Sequence, residues 1–325
     1  MRQWKLSANA AFFGAQRDRY TQYQPNRTLE EKFALVAQLD LIEGIELKYP
    51  FDLENVPLAR RLLEQYGLEL SAVNVDIKDA TFFRFGALSA QDANARDLAA
   101  TRLCRGMDIA AELGAGLVTT CPLAEGYDYP FEIDYGSAWR YFINTVQQVA
   151  SHRDDVKLAL EYQPHDMQAK PLLNNVGKML HICAEVDRPN LGANLDVGHS
   201  FAAGEAPAEA ATLLASKGKL FYMHSNDNTG DGVDWDMISG SVHFWHWLEL
   251  LFTLDRIGYE GWLGADIAAH QLDAVRAFGA NALMLQRMIA FLERMDLDEI
   301  ARLVEEDGKS PEVYAYLSSH LIPET

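Results

Sequence analysis

Residues 221–236 read FYMHSNDNTGDGVDWD, an apolar run that stops at His224 and is followed by Asp227, Asp231, Asp234 and Asp236. A strand that is half exposed alternates apolar and polar residues, whereas one buried on both faces reads as a continuous apolar run. KLFYMHSND (219–227) is of the second kind and changes character abruptly at its C-terminal end. Seven further runs resemble it: LSANAAFF (6–13), GIELKYP (44–50), LELSAVNVDI (68–77), GAGLVTTCP (114–122), VKLALEYQ (156–163), LGANLDVGH (191–199) and GWLGADI (261–267). Stretches with helical periodicity lie between them, TLEEKFALVAQLD, QDANARDLAATRLCRGMDIAAELG and AWRYFINTVQQVASH among them. Gly67, Gly114 and Gly258 each stand where a left-handed residue would close a helix before the next strand. Eight strand and helix pairs with no linker between them predict an α/β fold, a (β/α)8 barrel over residues 1–292. Residues 293–325 then form a short helical extension broken at Gly308 and Pro311.

Composition narrows the function. The chain has 325 residues, 49% apolar and 23% charged, with a net charge of −19. Such an excess of acid repels the phosphate backbone, so no nucleic acid is expected as partner; a metal or an uncharged small molecule suits it better. No apolar run approaches the roughly 20 residues of a membrane span, and MRQWKLSANAAFF lacks the hydrophobic stretch of a signal peptide. The expectation is a cytoplasmic protein without membrane contact. Cys104, Cys121 and Cys183 are scattered and odd in number, which argues for core residues rather than a disulfide framework.

In a barrel of this type the chemistry sits at the C-terminal rim. The fifth strand ends in LALEYQP with Glu161, the sixth in NLDVGHS with Asp196 and His199, the seventh in FYMHSND with His224, and the eighth in GADI with Asp266. These charges interrupt apolar strands, where an unpaired charge is costly, and no Lys or Arg falls within the same four strand ends. A divalent cation would supply the missing positive charge. Glu161, Asp196, His224 and Asp266 are a hard, mostly oxygen ligand set that suits Mn²⁺, Mg²⁺ or Co²⁺, with Zn²⁺ admissible and Mn²⁺ preferred. Taken alone, Asp234 and Asp236 read as part of a solvated turn. Phe244, Trp245 and Trp247 in VHFWHWLE read either as the buried side of a helix or as rings against a sugar.

The succession Glu161, Asp196-Val-Gly-His199, His224, Asp234-Trp235-Asp236 and Asp266 resembles the xylose isomerase-like superfamily of sugar isomerases and epimerases over nearly the whole barrel. That resemblance implies a first metal on Glu161, Asp196, His224 and Asp266. It also implies a second metal, or a substrate contact, at His199, Asp234 and Asp236, as in the aldose–ketose isomerases that use two metals. Gln163 and Trp235 would touch substrate. The chain departs from the isomerase pattern at Gln163, where a lysine is usual, and glutamine brings no charge.

The implied chemistry moves a hydrogen next to a carbonyl on a sugar without phosphate, by aldose–ketose isomerisation or ketose 3-epimerisation. Glu161, Asp266, His199 and His165 are the candidates for proton transfer. A homo-oligomer is expected. One alternative is a lyase resembling the α subunit of C-glycoside deglycosidases, which would eliminate an aglycone from a 3-oxo-C-glycoside with a small partner subunit. The other is a sugar-binding barrel without activity.

Overall fold

The computed structural model of the chain describes residues 1–17, 20–164, 170–231 and 233–321. Its strands are β1 Leu6–Asn9, β2 Gly44–Tyr49, β3 Glu69–Val75, β4 Leu117–Thr120, β5 Lys157–Glu161, β6 Leu191–Asp196, β7 Leu220–Ser225 and β8 Leu263–Ala265. All neighbours are parallel, in chain order, and β8 closes on β1, which is the (β/α)8 barrel that the strand count predicts. Helices α1 Leu29–Val36 and α2 Val56–Tyr66 follow the first two strands, and the short α3 Ala80–Phe83 and long α4 Ala93–Leu113 follow β3. Then come α5 Tyr135–Ala150 after β4, α6 Val176–Val186 after β5, and α7 Val197–Ala202 with α8 Pro207–Ser216 after β6. The outer ring ends with α9 Phe244–Arg256 and α10 Ala274–Glu293, and α11 Leu297–Glu305 and α12 Ser310–Leu321 continue beyond it. Among the described residues no helix is long and apolar enough to cross a membrane.

Local chemistry sets the element ends. Thr28 and Glu31 cap α1 reciprocally, each side chain bonding to the other's backbone N–H. Gly67 and Gly114 close α2 and α4 at φ 65° and 81°, a region that side chains resist. Every strand is shorter than its apolar run, and three of the C-terminal ends bear on the site. After Asn9 the chain turns into a 3-10 segment, Ala10–Phe13, because the Asn9 side chain accepts the Ala11 N–H. β6 stops at Asp196, whose carboxylate accepts the His199 N–H and so starts α7; His199 therefore stands on a helix, not on the strand end expected for it. β8 ends at Ala265, and Asp266 is the first residue beyond it.

The barrel interior is filled rather than hollow. Tyr222, fully buried, sets its hydroxyl between Ser7 Oγ (2.8 Å) and Ser71 Oγ (2.9 Å), and a Cβ on Gly264 would come within 2.5 Å of that hydroxyl. Trp247 is wholly buried on α9 and Trp245 packs edge-on against Tyr314 of α12 at 5.2 Å, so the VHFWHWLE segment is the packed side of a helix.

Glu125 stitches the rim together. It is buried in the loop after β4, and its carboxylate accepts the backbone N–H groups of Ala87 (3.1 Å), Leu88 (2.5 Å) and Ser89 (2.9 Å) and the Ser89 hydroxyl, all in the loop after β3. Its own carbonyl receives the Leu172 N–H from the loop after β5 at 2.7 Å. Removing the carboxylate would leave several buried donors without partners. Glu125→Ala is therefore expected to cost at least about 2 kcal/mol in urea unfolding, with Glu125→Gln losing less; an unchanged midpoint in both would contradict this role.

Candidate metal centre

Strand alternation aims the site. In β5, β6 and β7 the residues two apart share a face, and the register pairs Glu161 with Asn194, Asp196 with His224, and His224 with Gly264. Glu161, Asp196, His224 and Asp266 each bring one ligand atom to a common point, all within 4.8 Å of one another. His224 Nδ1 lies 2.9 Å from Asp266 Oδ2, 3.1 Å from Glu161 Oε2 and 3.7 Å from Asp196 Oδ2. No lysine or arginine pairs with these four among the described residues; their charged partners there are imidazoles.

The other face of the imidazole is equally determined. His224 Nε2 is 3.1 Å from Glu46 Oε2, a carboxylate on β2 with no solvent exposure. Glu46 Oε1 also accepts Asn74 Nδ2 (2.8 Å) and Thr119 Oγ1 (3.0 Å). Glu46 is acceptor-only when ionised and accepts the Nε2–H, which leaves Nδ1 as the ring nitrogen for a metal; until a cation displaces it, the carboxylates facing Nδ1 hold a proton there as well. Sequence reasoning missed Glu46 because only the last four strand ends were considered. The signal was present, since Glu46 interrupts the apolar GIELKYP just as Glu161 interrupts LALEYQ.

A second layer flanks the first. His199 Nε2 bonds to Asp234 Oδ2 at 3.1 Å, and Nδ1 faces Glu161 Oε1 at 3.2 Å. Asn226 donates to Asp196 Oδ2 (2.8 Å) and Asp236 Oδ1 (3.2 Å), and it accepts the Gly198 N–H (2.7 Å). Asp236 holds φ at 46°, a backbone setting uncommon outside glycine. Gln163 is committed at both ends: Oε1 accepts from Cys121 Sγ (3.4 Å) and Nε2 donates to Asp234 Oδ2 (3.1 Å). Trp235 is half-exposed at the rim, its indole N–H on Asp231 Oδ1 at 3.1 Å. His165, the remaining sequence candidate, lies outside the described residues.

Electrostatics test whether this set suits a cation. Burial opposes charge on both imidazoles, yet the carboxylates around them hold His224 and His199 well above the ordinary histidine range. Against the same desolvation, His224 and His199 draw the Glu161 carboxyl down to about 2. Burial, reinforced by Glu161 and Asp234, pushes Asp196 up to about 7. Asp236 goes well above the usual carboxyl range, first by burial and then by Asp234, Asp266 and Asp196. The site thus holds protons where it can. His199 Nδ1 and Asp234 Oδ1 are buried without hydrogen-bond partners. Three carboxylates, an imidazole lone pair and orphaned polar atoms fit a hard divalent cation.

Fold and site together define a (β/α)8 barrel whose C-terminal mouth carries side chains able to hold a divalent metal. The chain belongs to the xylose isomerase-like TIM barrel family, whose model matches residues 33–308. It is 26% identical over 256 residues to the xylose isomerase of Thermus thermophilus, a match that covers 74% of this chain and 66% of the relative. A D-tagatose 3-epimerase-like protein of known structure superposes with a TM-score of 0.70 at 19% identity, covering 89% of this chain and 98% of the other. The IOLI protein, solved with a bound zinc atom, gives 0.67 at 17% identity, covering 90% and 100%.

Two outcomes follow for metal binding. Glu46→Gln keeps the shape but weakens the hold on the Nε2 proton, and its Mn²⁺ affinity is expected to fall about 10- to 100-fold with the far-ultraviolet spectrum unchanged; titration calorimetry reads it, and equal affinities would contradict the tie. The raised Asp196 carboxyl means that protons compete with metal, so affinity should decline as pH falls from about 8 to about 6. A pH-independent affinity over that range would contradict the assignment.

Proposed function

We propose that the protein is a divalent-metal-dependent enzyme that moves a hydrogen next to the carbonyl of a sugar without phosphate, as an aldose–ketose isomerase or ketose 3-epimerase. The observation that carries this reading is the convergence of Glu161, on β5, and Asp266, just after β8, on Nδ1 of His224, at 3.1 and 2.9 Å. When bound, the cation would polarise the substrate's carbonyl and neighbouring hydroxyl oxygens as a Lewis acid. Mn²⁺ is the first choice, and the zinc in one fold neighbour keeps Zn²⁺ in play.

Glu161 is the base in this reading. It is buried and ionised, and the Asn194 amide, donating to Oε2 at 2.6 Å, holds it in place. Asp266 is more open, with 14% of its side chain exposed, and would exchange a proton from the other side of the substrate. His199 and Asp234 form a hydrogen-bonded pair beside Glu161 that can orient a substrate hydroxyl. The acidic mouth disfavours a phosphorylated sugar.

Elimination from a 3-oxo glycoside would use the same base, and the exposed rings of Phe82 on α3 and of Phe85, Tyr129 and Trp235 on the loops of the mouth offer surfaces for an aryl group. One experiment separates the readings. Metal-loaded protein is incubated in deuterated water with free pentoses and hexoses, and separately with an aryl 3-oxo-C-glycoside, followed by NMR. Interconversion of a free sugar is expected, slowed about 10²- to 10⁴-fold in Glu161→Gln. Aglycone release without sugar interconversion would give the lyase reading instead, and turnover of neither would leave a binding protein.

A further inference from the structure

Asp227, the first of the four aspartates after His224, bonds away from the acid cluster. It is fully buried just beyond β7, and its carboxylate clasps both ends of one loop: Oδ1 accepts the Asn228 N–H at 2.8 Å, and Oδ2 accepts the N–H groups of Val242 and His243, each at 2.9 Å. Oδ1 also lies 2.7 Å from Nδ1 of the His243 ring. An ionised carboxylate only accepts, so Nδ1 is the donor. The backbone closes the loop a second time, Asp227 and Met237 exchanging N–H and carbonyl at 2.8 Å in both directions.

We propose that His243, fixed by Asp227, is a positioning residue that holds Asp234 against His199; the value of that contact to a substrate hydroxyl rests on the sugar reading above. The His243 ring stacks face to face on Phe201 of α7, with centroids 3.9 Å and planes 17° apart, and Phe201 follows His199 by two residues on that helix. His246, one turn along α9, packs edge-on to both rings, 5.6 Å from His243 and 5.7 Å from Phe201. One imidazole therefore joins the base of the loop that carries Asp234 to the helix that carries His199, residues 35 apart in the chain.

The contact needs such a tie. Thr229, Gly230, Asp231, Val233 and Trp235 are exposed, so the tip of the loop has little packing of its own to fix it. Asp234 meets the site through hydrogen bonds, its Oδ2 lying 3.1 Å from both His199 Nε2 and Gln163 Nε2. A slip of about 1 Å at the base of the loop would open both. His224 is held differently, by Glu46 on β2, and does not depend on this loop.

That difference supplies the test. A ring N–H held in a buried hydrogen bond is protected from exchange with water and gives a peak in a ¹H–¹⁵N spectrum, whereas an unheld one is lost. In metal-free protein with labelled histidine, His199 Nε2–H on Asp234 and His224 Nε2–H on Glu46 should each give one, assigned with His199→Gln and His224→Gln. His243→Leu is expected to lose the His199 peak and keep the His224 peak. Phe201→Leu should do the same, and Phe201→Tyr, which keeps the stack, should retain both. Persistence of the His199 peak in either leucine variant would overturn the proposal, as would its absence from wild type or loss of both peaks together. Calorimetric titration of xylitol into Mn²⁺-loaded protein reads the consequence for substrate: His243→Leu should bind about 10-fold more weakly, with no further loss when it is added to Asp234→Ala. An equal loss in that background would overturn the route through Asp234. Wild type that binds no xylitol would overturn the sugar reading, and the two peaks would still decide the positioning.

Discussion

His224 is held between acids on both ring nitrogens, with Glu46 behind and Glu161, Asp196 and Asp266 in front. Each carboxylate lost most of its hydration when the barrel closed over it, and like charges a few ångströms apart repel strongly in such surroundings. The arrangement persists only because neutral donors take up the remaining lone pairs. Asn74 and Thr119 serve Glu46, Asn194 serves Glu161, and Asn226 serves Asp196 and Asp236. Protons on the two histidines reduce the repulsion further. A site so built is pre-organised to receive a cation, and the fold supports that strain with a packed lower barrel around Tyr222 and with rim loops tied by Glu125.

The same constraint divides the labour among the strands. β5 to β8 supply Glu161, Asp196, His224 and, just beyond the last strand, Asp266. The first half of the barrel supplies what controls them: Glu46 from β2 accepts the Nε2–H of His224 and leaves Nδ1 toward the other acids. Both halves are needed, because Nδ1 is aimed at the acids of β5 to β8 only while Nε2 is held from β2.

Much of this was legible in the sequence. Buried parallel strands read as apolar runs, and eight of them with helical stretches between left one architecture. Residues at strand ends could be assigned to a common mouth because a closed barrel leaves them nowhere else to converge. Strand ends were less legible. VGH after Asp196 is apolar enough for a strand, yet the Asp196 side chain caps the next turn and makes it a helix. Glu46 stands on β2, far in sequence from the later strand ends, and only barrel closure sets it behind His224; the asparagines are neutral side chains that raise no question of charge until their partners are seen. Gln163 bonds to Cys121 and Asp234, which lie on loops after β4 and β7 that only the fold brings beside it.

The central claim is that His224 offers Nδ1, with Glu161, Asp196 and Asp266, to a single divalent cation. Anomalous scattering from crystals grown with Mn²⁺ measures it directly. One strong peak is expected among those four side chains on the Nδ1 side of the ring, absent in Asp196→Ala. A peak on the Glu46 side, or none at the mouth, would contradict it.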